Sequence, residues 1–260
     1  MPFPFLNNRV FRNVKIDYSF SAMLIAGLFL FIISGCGKEQ PPLPVPETGT
    51  MTDHDGNVYK TVKIGNQWWM AENLKVTTYQ NGDSVNFEPS ANNWKDSTPA
   101  YCIYGSSYYG FLYNYYALSD PRKLVPAGWH LPSDAEWKAL EIALGMSVSS
   151  ADSILWRGSK EGDKLKKARV DAGATTWYID TENQFSVWAN NESGFSALPG
   201  SCRIFNGTYG SPGVPYTGYW WSSTLRGNEV WYRYLDYNNS KIFRFYVDKR
   251  YGFSVRCVKN

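Results

Sequence analysis

Side chains that act as bases or nucleophiles near neutral pH are scarce in this sequence. Its 260 residues include two histidines, His54 and His130, and four cysteines that lie far apart. The sequence contains no His-Glu-x-x-His zinc motif, no Gly-x-Ser-x-Gly nucleophile turn and no Walker-type phosphate loop. We therefore expect a protein that is not an enzyme and that requires no metal or other cofactor.

Concentrated positive charge is also lacking. The chain has 26 Lys and Arg residues against 23 Asp and Glu residues, a net charge of +3. Its densest basic group, which a leucine interrupts, consists of Lys164, Lys166 and Lys167. Proteins that bind nucleic acid need a basic stripe that displaces counterions from phosphates. We expect no nucleic-acid partner.

Long apolar runs are absent except near the N-terminus. There, residues 20–33 form an apolar run that follows Arg9, Arg12 and Lys15. As a helix this run would rise about 21 Å, which is too short for a bilayer core of roughly 30 Å. The pattern is typical of a secretory signal peptide, and we assign residues 1–35 to it.

The apolar run ends in Ile33-Ser34-Gly35-Cys36, which resembles the lipobox of bacterial lipoproteins. We predict that Cys36 becomes the acylated first residue of the mature protein, with palmitate among its acyl chains, and that these chains bind the membrane. Residues 36–50 are polar and then proline-rich, which indicates an extended linker. The expected location is the cell envelope, at the outer membrane, on either its periplasmic or its surface face.

Aromatic residues make up 17% of the chain, and aromatic residues favour strands. Residues 58–64 alternate between apolar and polar side chains and lie between Asp-Gly and Gly-Asn turns, which predicts a β-hairpin with residues 67–70. Asp53 and Asp55 resemble the start of a calcium loop, but Val58 stands where an EF-hand requires glycine. We interpret this segment as a turn.

One helix is clearly marked by its sequence. Ser133 and Glu136 form a capping box, Trp137 and Leu140 lie on one face, and Gly145 can end the helix. A second helix is expected over residues 160–170. Strand signals dominate the last 65 residues and predict an antiparallel meander, with strands over residues 194–198, 218–223, 229–237, 241–247 and 252–258. The expected fold class is α+β, in one domain over residues 51–260.

Several phrases, taken in order, resemble the Fibrobacter succinogenes major paralogous domain. They are VKIGNQWWMAENL at 62–74, YC at 101–102, GFLYN at 110–114, PAGWHLPSDAEW at 126–137, GFSALPG at 194–200, WWSS at 220–223 and SVRCV at 254–258. The family is similar to the C-type lectin-like fold, which implies short helices, long loops and a terminal antiparallel sheet. Its members are mostly exported proteins of undetermined activity, so the resemblance implies no reaction.

Calcium-dependent sugar binding is not expected from this resemblance. Trp221-Ser222-Ser223 falls where calcium-dependent lectins carry Trp-Asn-Asp, and serine removes the ligands. The formylglycine-generating enzymes also have a related fold and use cysteines. The mature chain has no Cys-x-x-Cys spacing, so a cysteine-dependent oxidase is a minor alternative.

A binding module for glycan or protein is the favoured function, because exposed tryptophan and tyrosine rings can stack on sugars or fill protein pockets. A structural or adhesive envelope component without a small ligand is the alternative. Candidate binding residues lie in loops near Asn and Gly: Trp94, Tyr108, Tyr109, Tyr209 and Tyr216.

A disulfide is expected because an exported chain enters an oxidising compartment. Cys102 and Cys257 both lie inside phrases that match the family, whereas Cys202 follows one. We predict a Cys102–Cys257 bond, and a Cys202–Cys257 bond is the competing pair.

The lipobox is tested by the substitution Cys36→Ala. Without the thiol, no diacylglyceryl group can be attached, so we expect an unprocessed precursor and no incorporation of labelled palmitate. The measurement is metabolic labelling followed by gel analysis. Incorporation of label into the variant at the wild-type level would contradict the assignment.

Overall fold

The computed structural model describes residues 45–168, 176–179, 182 and 189–260, which fall in the compact unit Pro44–Asn260. The predicted signal peptide and Cys36 lie outside the described residues. Strands in the described part are β1 (Thr48–Thr52), β2 (Val58–Ile64), β3 (Gln67–Met70), β4 (Asn86–Phe87), β5 (Ala100–Cys102), β6 (Leu112–Asn114), β7 (Trp129–His130), β8 (Leu155–Arg157), β9 (Thr217–Arg226), β10 (Glu229–Asp236), β11 (Ile242–Asp248), β12 (Gly252–Phe253) and β13 (Val258–Lys259). Helices are α1 (Ala91–Trp94), α2 (Tyr115–Leu118), α3 (Asp134–Ala143), α4 (Val148–Asp152) and α5 (Glu161–Leu165).

The strands form three sheets, and the mixture of few helices with several antiparallel sheets makes the fold α+β, as predicted. The first sheet has the order β1-β2-β3-β13-β7 and the second has β8-β11-β10-β9. The third has the order β12-β6-β5-β4, in which β4 and β5 are parallel. Because β13 lies between β3 and β7, the last strand completes a sheet that the first strands begin.

Most local predictions are confirmed. The hairpin joins β2 to β3 through Gly65-Asn66, and β9, β10 and β11 form the predicted meander. In α3, the Ser133 hydroxyl oxygen accepts a hydrogen bond from the Glu136 N–H while the Glu136 carboxylate accepts one from the Ser133 N–H. Gly145 follows the helix at φ +111°, which glycine adopts without strain.

Four boundaries differ from the prediction. β1 begins at Thr48, so the sheet includes residues 48–50 that were expected in the linker. α5 ends at Leu165, well before residue 170. Residues 252–258 divide into β12 and the start of β13. Residues 194–198 contain only one isolated bridge, at Ala197, because the carbonyls of Phe195 and Ser196 bond to an arginine side chain and not to a neighbouring strand.

That arginine is Arg256, whose side chain is fully buried. Its Nε donates to Asn73 Oδ1 at 2.7 Å, Nη1 donates to the Met70 and Phe195 carbonyls, and Nη2 donates to the Ser196 carbonyl at 2.9 Å. No carboxylate in the described chain shares these bonds. Burial therefore lowers the pKa of the guanidinium to about 9, and the group stays charged at neutral pH.

A second buried network fastens α3 to the second sheet. We call it the arginine–carboxylate cluster, and it consists of Asp134, Glu141, Arg157, Arg233 and Arg244. Arg157 donates two bonds to Glu141, at 2.6 and 2.8 Å, and Arg244 donates two to Asp134, at 2.8 and 2.7 Å. Arg233 bridges the two acids, 2.6 Å from Glu141 and 2.8 Å from Asp134. Three strands are thereby joined to one helix.

The predicted disulfide is wrong in this structure. Cys102, Cys202 and Cys257 are all buried and unpaired. Cys102 packs in a small cluster with Trp94 and Leu112, whereas Cys257 lies in the largest core cluster. The two thiols therefore belong to separate hydrophobic groups, and neither the favoured pair nor the competing Cys202–Cys257 pair is formed.

Removing one acid from the arginine–carboxylate cluster should destabilise the domain strongly. Glu141→Ala leaves Arg157 and Arg233 buried without their shared partner, which costs about 3–5 kcal/mol in the free energy of unfolding. Urea unfolding measures this loss. The matched control is Glu47→Ala, which breaks the exposed pair with Lys63 and should cost less than about 1 kcal/mol. Equal effects of the two substitutions would contradict the assigned role.

Acid should also weaken this cluster. Burial would raise the pKa of the Asp134 carboxyl, but hydrogen bonds and charge from Arg244 and Arg233 outweigh it and lower the pKa to about 2. A carboxyl whose pKa is depressed in the folded state stabilises at pH values above its unfolded pKa, and this stability is lost as the pH falls. We expect the free energy of unfolding to fall between about pH 4 and pH 2, and Asp134→Asn to flatten that dependence. An unchanged slope in the variant would refute this assignment.

Candidate functional site

The five aromatic residues predicted to bind ligand do not form one surface. Trp94 and Tyr109 are 1% and 4% exposed, so the prediction that they face a ligand is wrong. The Trp94 indole donates to the Arg250 carbonyl at 2.7 Å, and the guanidinium of Arg203 lies over its ring. Tyr209 packs on the same guanidinium, at 5.2 Å, so the structure brings Trp94 and Tyr209 together as core.

The other two predicted residues reach the surface at separate places. Tyr108 is 43% exposed, and its hydroxyl accepts a hydrogen bond from Lys167 at 3.0 Å. Tyr216 is half-buried, with its ring 4.8 Å from Tyr178 and 5.3 Å from Tyr237. Both rings therefore have protein partners already, and neither lines a cavity with the other.

Tryptophans separate into two groups by whether the indole N–H has a partner. Six are buried, and each donates a hydrogen bond, to side-chain or backbone oxygens: Trp69, Trp94, Trp137, Trp177, Trp220 and Trp221. Such bonds are what a buried indole requires. Trp188 lies outside the described residues. The remaining four are half-buried and donate no hydrogen bond to any described residue.

Two of these four have their ring faces covered. Trp156 lies 5.1 Å from Tyr234 and 5.2 Å from Phe243, within a row of rings on the second sheet. Trp231 lies beneath the guanidinium of Arg244 at 3.8 Å. Stacking on a ligand needs a free ring face, and these rings already contact aromatic or cationic groups of the protein.

Trp68 and Trp129 are the other two. Within the described ranges, neither ring contacts another aromatic ring or a cationic side chain. Both line one groove of about 190 Å³, together with Gly49, Thr50, Thr61 and Lys259. Gly49 keeps the groove open, because a Cβ there would lie 3.6 Å from the Trp68 ring and 3.1 Å from Thr61 Oγ1.

The strand register explains why these side chains share a face. Lys259 of β13 pairs with Trp129 of β7, and Val258 pairs with Trp69 of β3. Because successive side chains alternate, Val258 and Trp69 lie on one face of the sheet while Lys259, Trp129 and Trp68 lie on the other. The row Trp68–Lys259–Trp129 therefore runs across three adjacent strands on the same face of the first sheet.

Trp129 also borders a larger cavity of about 660 Å³, a size usual for small-molecule sites. Its apolar wall includes Leu118 and Leu124, and its polar groups include Asp120, Lys123 and His130. Lys123 adopts φ +60°, a strained conformation for lysine, and its carbonyl accepts a bond from the Gln80 N–H. Trp129 thus separates two adjoining depressions.

His130 is held by partners on both ring nitrogens. Nδ1 lies 2.7 Å from Asn260 Oδ1, and Nε2 lies 2.6 Å from Glu136 Oε1. The pKa of the Glu136 carboxyl would rise with burial, but bonds from Ser133 and His130 lower it overall. His130 therefore has a structural role beside the start of α3. This arrangement shapes the cavity wall and leaves no unengaged ring nitrogen to act as a base.

The predicted turn at residues 53–57 is likewise confirmed. Asp53 accepts bonds from the Asp55 and Asn57 N–H groups and from the Tyr59 hydroxyl, and Asp55 accepts bonds from Thr77 and Thr78. Both carboxylates are therefore used by protein donors. Across the described ranges, no three His, Cys, Asp or Glu residues are grouped to hold a metal ion. No helix among the described residues could span a membrane.

Sequence reasoning missed Trp68 and Trp129, although a signal was present. In Gln67-Trp68-Trp69-Met70, strand alternation requires the adjacent tryptophans to lie on opposite faces of the sheet, so the two have different surroundings. The candidates were sought in loops, whereas both residues lie on strands within the matching phrases.

Comparison with known protein families matches the same part of the chain that carries the family phrases. The family model described as the Fibrobacter succinogenes major domain matches residues 62–259. Neither the curated proteins nor the solved structures contain a match. Because the match covers most of the chain, including β2, α3 and β13, this protein belongs to the Fibrobacter succinogenes major domain family.

Proposed function

We propose that this protein is an exported, lipid-anchored lipoprotein whose domain is a non-catalytic binding module for glycan at the cell envelope. The observation that carries the proposal is the pair Trp68 and Trp129, which line one groove and whose indole N–H groups donate no hydrogen bond to a described residue. An indole face stacks on the apolar face of a sugar, and its N–H can donate to a hydroxyl.

The proposal of a non-catalytic role is supported by the state of the reactive side chains. Both nitrogens of His130 are engaged, and His54 Nε2 lies 2.8 Å from the Thr78 carbonyl. Burial raises the pKa of the Cys202 thiol to about 12 and also raises those of Cys102 and Cys257. Thiols with raised pKa values are poor nucleophiles and poor metal ligands. This counts against the cysteine-dependent oxidase.

A C-type lectin-like arrangement is part of the proposal. It is supported by short helices, long connections such as residues 71–85, and an antiparallel meander late in the chain. Anchoring is supported by the lipobox and by the length of the segment that separates Cys36 from β1. The eleven residues between Cys36 and Thr48 can span at most about 40 Å, which would let the domain stand clear of a membrane.

Binding should depend on Trp129 more than on any other tryptophan, because it borders both depressions. We expect Trp129→Ala to weaken glycan binding by roughly tenfold or more, as for a buried aromatic anchor. The measurement is a glycan array on residues 47–260, followed by titration of the best ligand. The matched control is Trp156→Ala, another half-buried tryptophan whose ring already contacts Tyr234 and Phe243.

Two results would contradict the proposal. One is a uniformly silent array for a domain whose thermal unfolding is cooperative, particularly if a single envelope protein is captured instead. That outcome would favour the structural or adhesive component. The other is equal loss of binding in Trp129→Ala and Trp156→Ala at equal stability, since it would place the ligand away from the groove.

A further inference from the structure

β1 is an edge strand of the first sheet, and one side of its backbone is open. Just before it, the Glu47 carbonyl accepts a hydrogen bond from the Lys63 N–H of β2 at 2.8 Å. Because antiparallel strands exchange bonds at every second residue, the N–H and C=O groups of Thr48, Thr50 and Thr52 point away from β2. These three residues are exposed, and no described residue forms a hydrogen bond with their backbone groups.

The other edges of the three sheets in the described chain are short or covered. β4 and β7 have two residues each, and β8 has three. β9 is long, but its Trp221 and Ser223 N–H groups donate to carbonyls of neighbouring segments. The outer side of β12 exchanges two backbone hydrogen bonds with Arg203. β1, with five residues and an open side, is the exception.

β1 also lacks the features that keep an exposed edge from pairing. Proteins protect such edges with lysine, proline or a bulge, because an open edge is a template for another strand. The sequence of β1 is Thr-Gly-Thr-Met-Thr, which contains no charged residue and no proline. Its register with β2 is continuous, without a bulge. The edge can therefore accept a further strand by backbone hydrogen bonding.

The strand that fits this edge best is β1 of a second copy. In an antiparallel pair centred on Gly49, Thr48 of each copy lies opposite Thr50 of the other, and each such pair exchanges both of its backbone hydrogen bonds. Threonine pairs across strands are favourable, and the uncharged strand opposes no like charges when it meets itself. A pair centred on Thr50 would instead set Glu47 opposite Asp53, which are both acids. The register centred on Gly49 is therefore favoured.

Trp68 gives a second reason to expect another copy at this edge. A Cβ at Gly49 would lie 3.6 Å from the Trp68 ring, so the ring reaches from β3 across β2 to the edge strand. A two-fold axis perpendicular to the sheet keeps the same face of both copies on one side, and it sets the two Gly49 Cα atoms about 4.5 Å apart. The two half-buried Trp68 rings then meet at the axis, where a foreign strand would offer no second indole.

We propose that this protein forms a two-fold dimer in which β1 of one protomer pairs antiparallel with β1 of its partner. The two five-stranded sheets become one continuous sheet, with Gly49 of each copy at the axis. The grooves beside Trp68 and Trp129 then lie on the same face of the joined sheet. The dimer requires no ligand, so it is independent of glycan binding.

The test is sedimentation equilibrium of the full chain in a density-matched detergent. We expect the wild type to dimerise reversibly with rising concentration. Thr50→Pro removes a donor from the open edge and none from the bonds to β2, because the Thr50 N–H points away from β2. The two lost hydrogen bonds should weaken dimerisation roughly tenfold or more. The matched control is Thr50→Val, which keeps the N–H and should dimerise like the wild type.

Two further measurements keep the proposal testable if the proline variant does not unfold cooperatively. Thr50→Lys keeps every backbone bond but places like charges near the axis, so it should weaken the dimer, and high salt should restore it in part. Thr48→Cys chains mixed with Thr50→Cys chains should form a disulfide across the pair, where the Cα atoms lie about 5.5 Å apart. Thr50→Cys chains alone should cross-link more slowly, because the favoured register does not set these residues opposite each other.

Several results would overturn the dimer. One is a wild-type chain that stays monomeric up to its solubility limit, and glycan binding by that monomer would leave the proposed function intact. Another is a Thr50→Pro variant that dimerises like the wild type at equal thermal stability, since the interface would then lie elsewhere. Faster cross-linking of Thr50→Cys chains alone would overturn the register centred on Gly49. Co-purification of a monomeric wild-type chain with a different envelope protein, lost in Thr50→Pro, would replace the second copy by another strand donor.

Discussion

A buried arginine that bonds to carbonyls, and to no acid, determines how the distant parts of this chain meet. Arg256 reaches the backbone of residues 70, 195 and 196 and the amide of Asn73. Taking a guanidinium out of water costs several kcal/mol, so each of these acceptors must be in place at once. Residues 195 and 196, which belong to no strand, are held in place in this way.

Asn73 connects the buried Arg256 to two further segments of the chain, those of Tyr109 and Trp220. Its Oδ1 also accepts the Trp220 indole N–H at 3.0 Å, and its Nδ2 donates to the Tyr109 carbonyl at 2.7 Å. The matching family phrases that contain Asn73, Phe195, Trp220 and Arg256 thus converge in a single buried network. These four residues lie in the interior of the domain, which explains why the family resemblance identifies the fold and not a ligand.

Local structure could be predicted because its causes are local. The capping box at Ser133 and the alternation over residues 58–64 depend on neighbours in sequence, and both were correct. The burial of Trp94 and Tyr109 depends on Arg203 and other residues far along the chain, which no local pattern reports. The cysteines illustrate the same limit, since pairing depends on distances that sheet order decides. The face on which Trp68 lies could be predicted from strand alternation. Its position opposite Trp129, across β13, could not be predicted, because the placement of β13 between β3 and β7 depends on the tertiary fold.

The insertion of β13 between β3 and β7 has a consequence for the order in which the domain can fold. A chain is synthesised from its N-terminus, so β2 and β3 are available long before β13. The contact between β3 and β13 joins the two ends of the domain, and contacts of such long range form late in folding. The first sheet therefore cannot be completed until the last strand has been made. A product that stops short of β13 would lack the strand that joins β3 to β7.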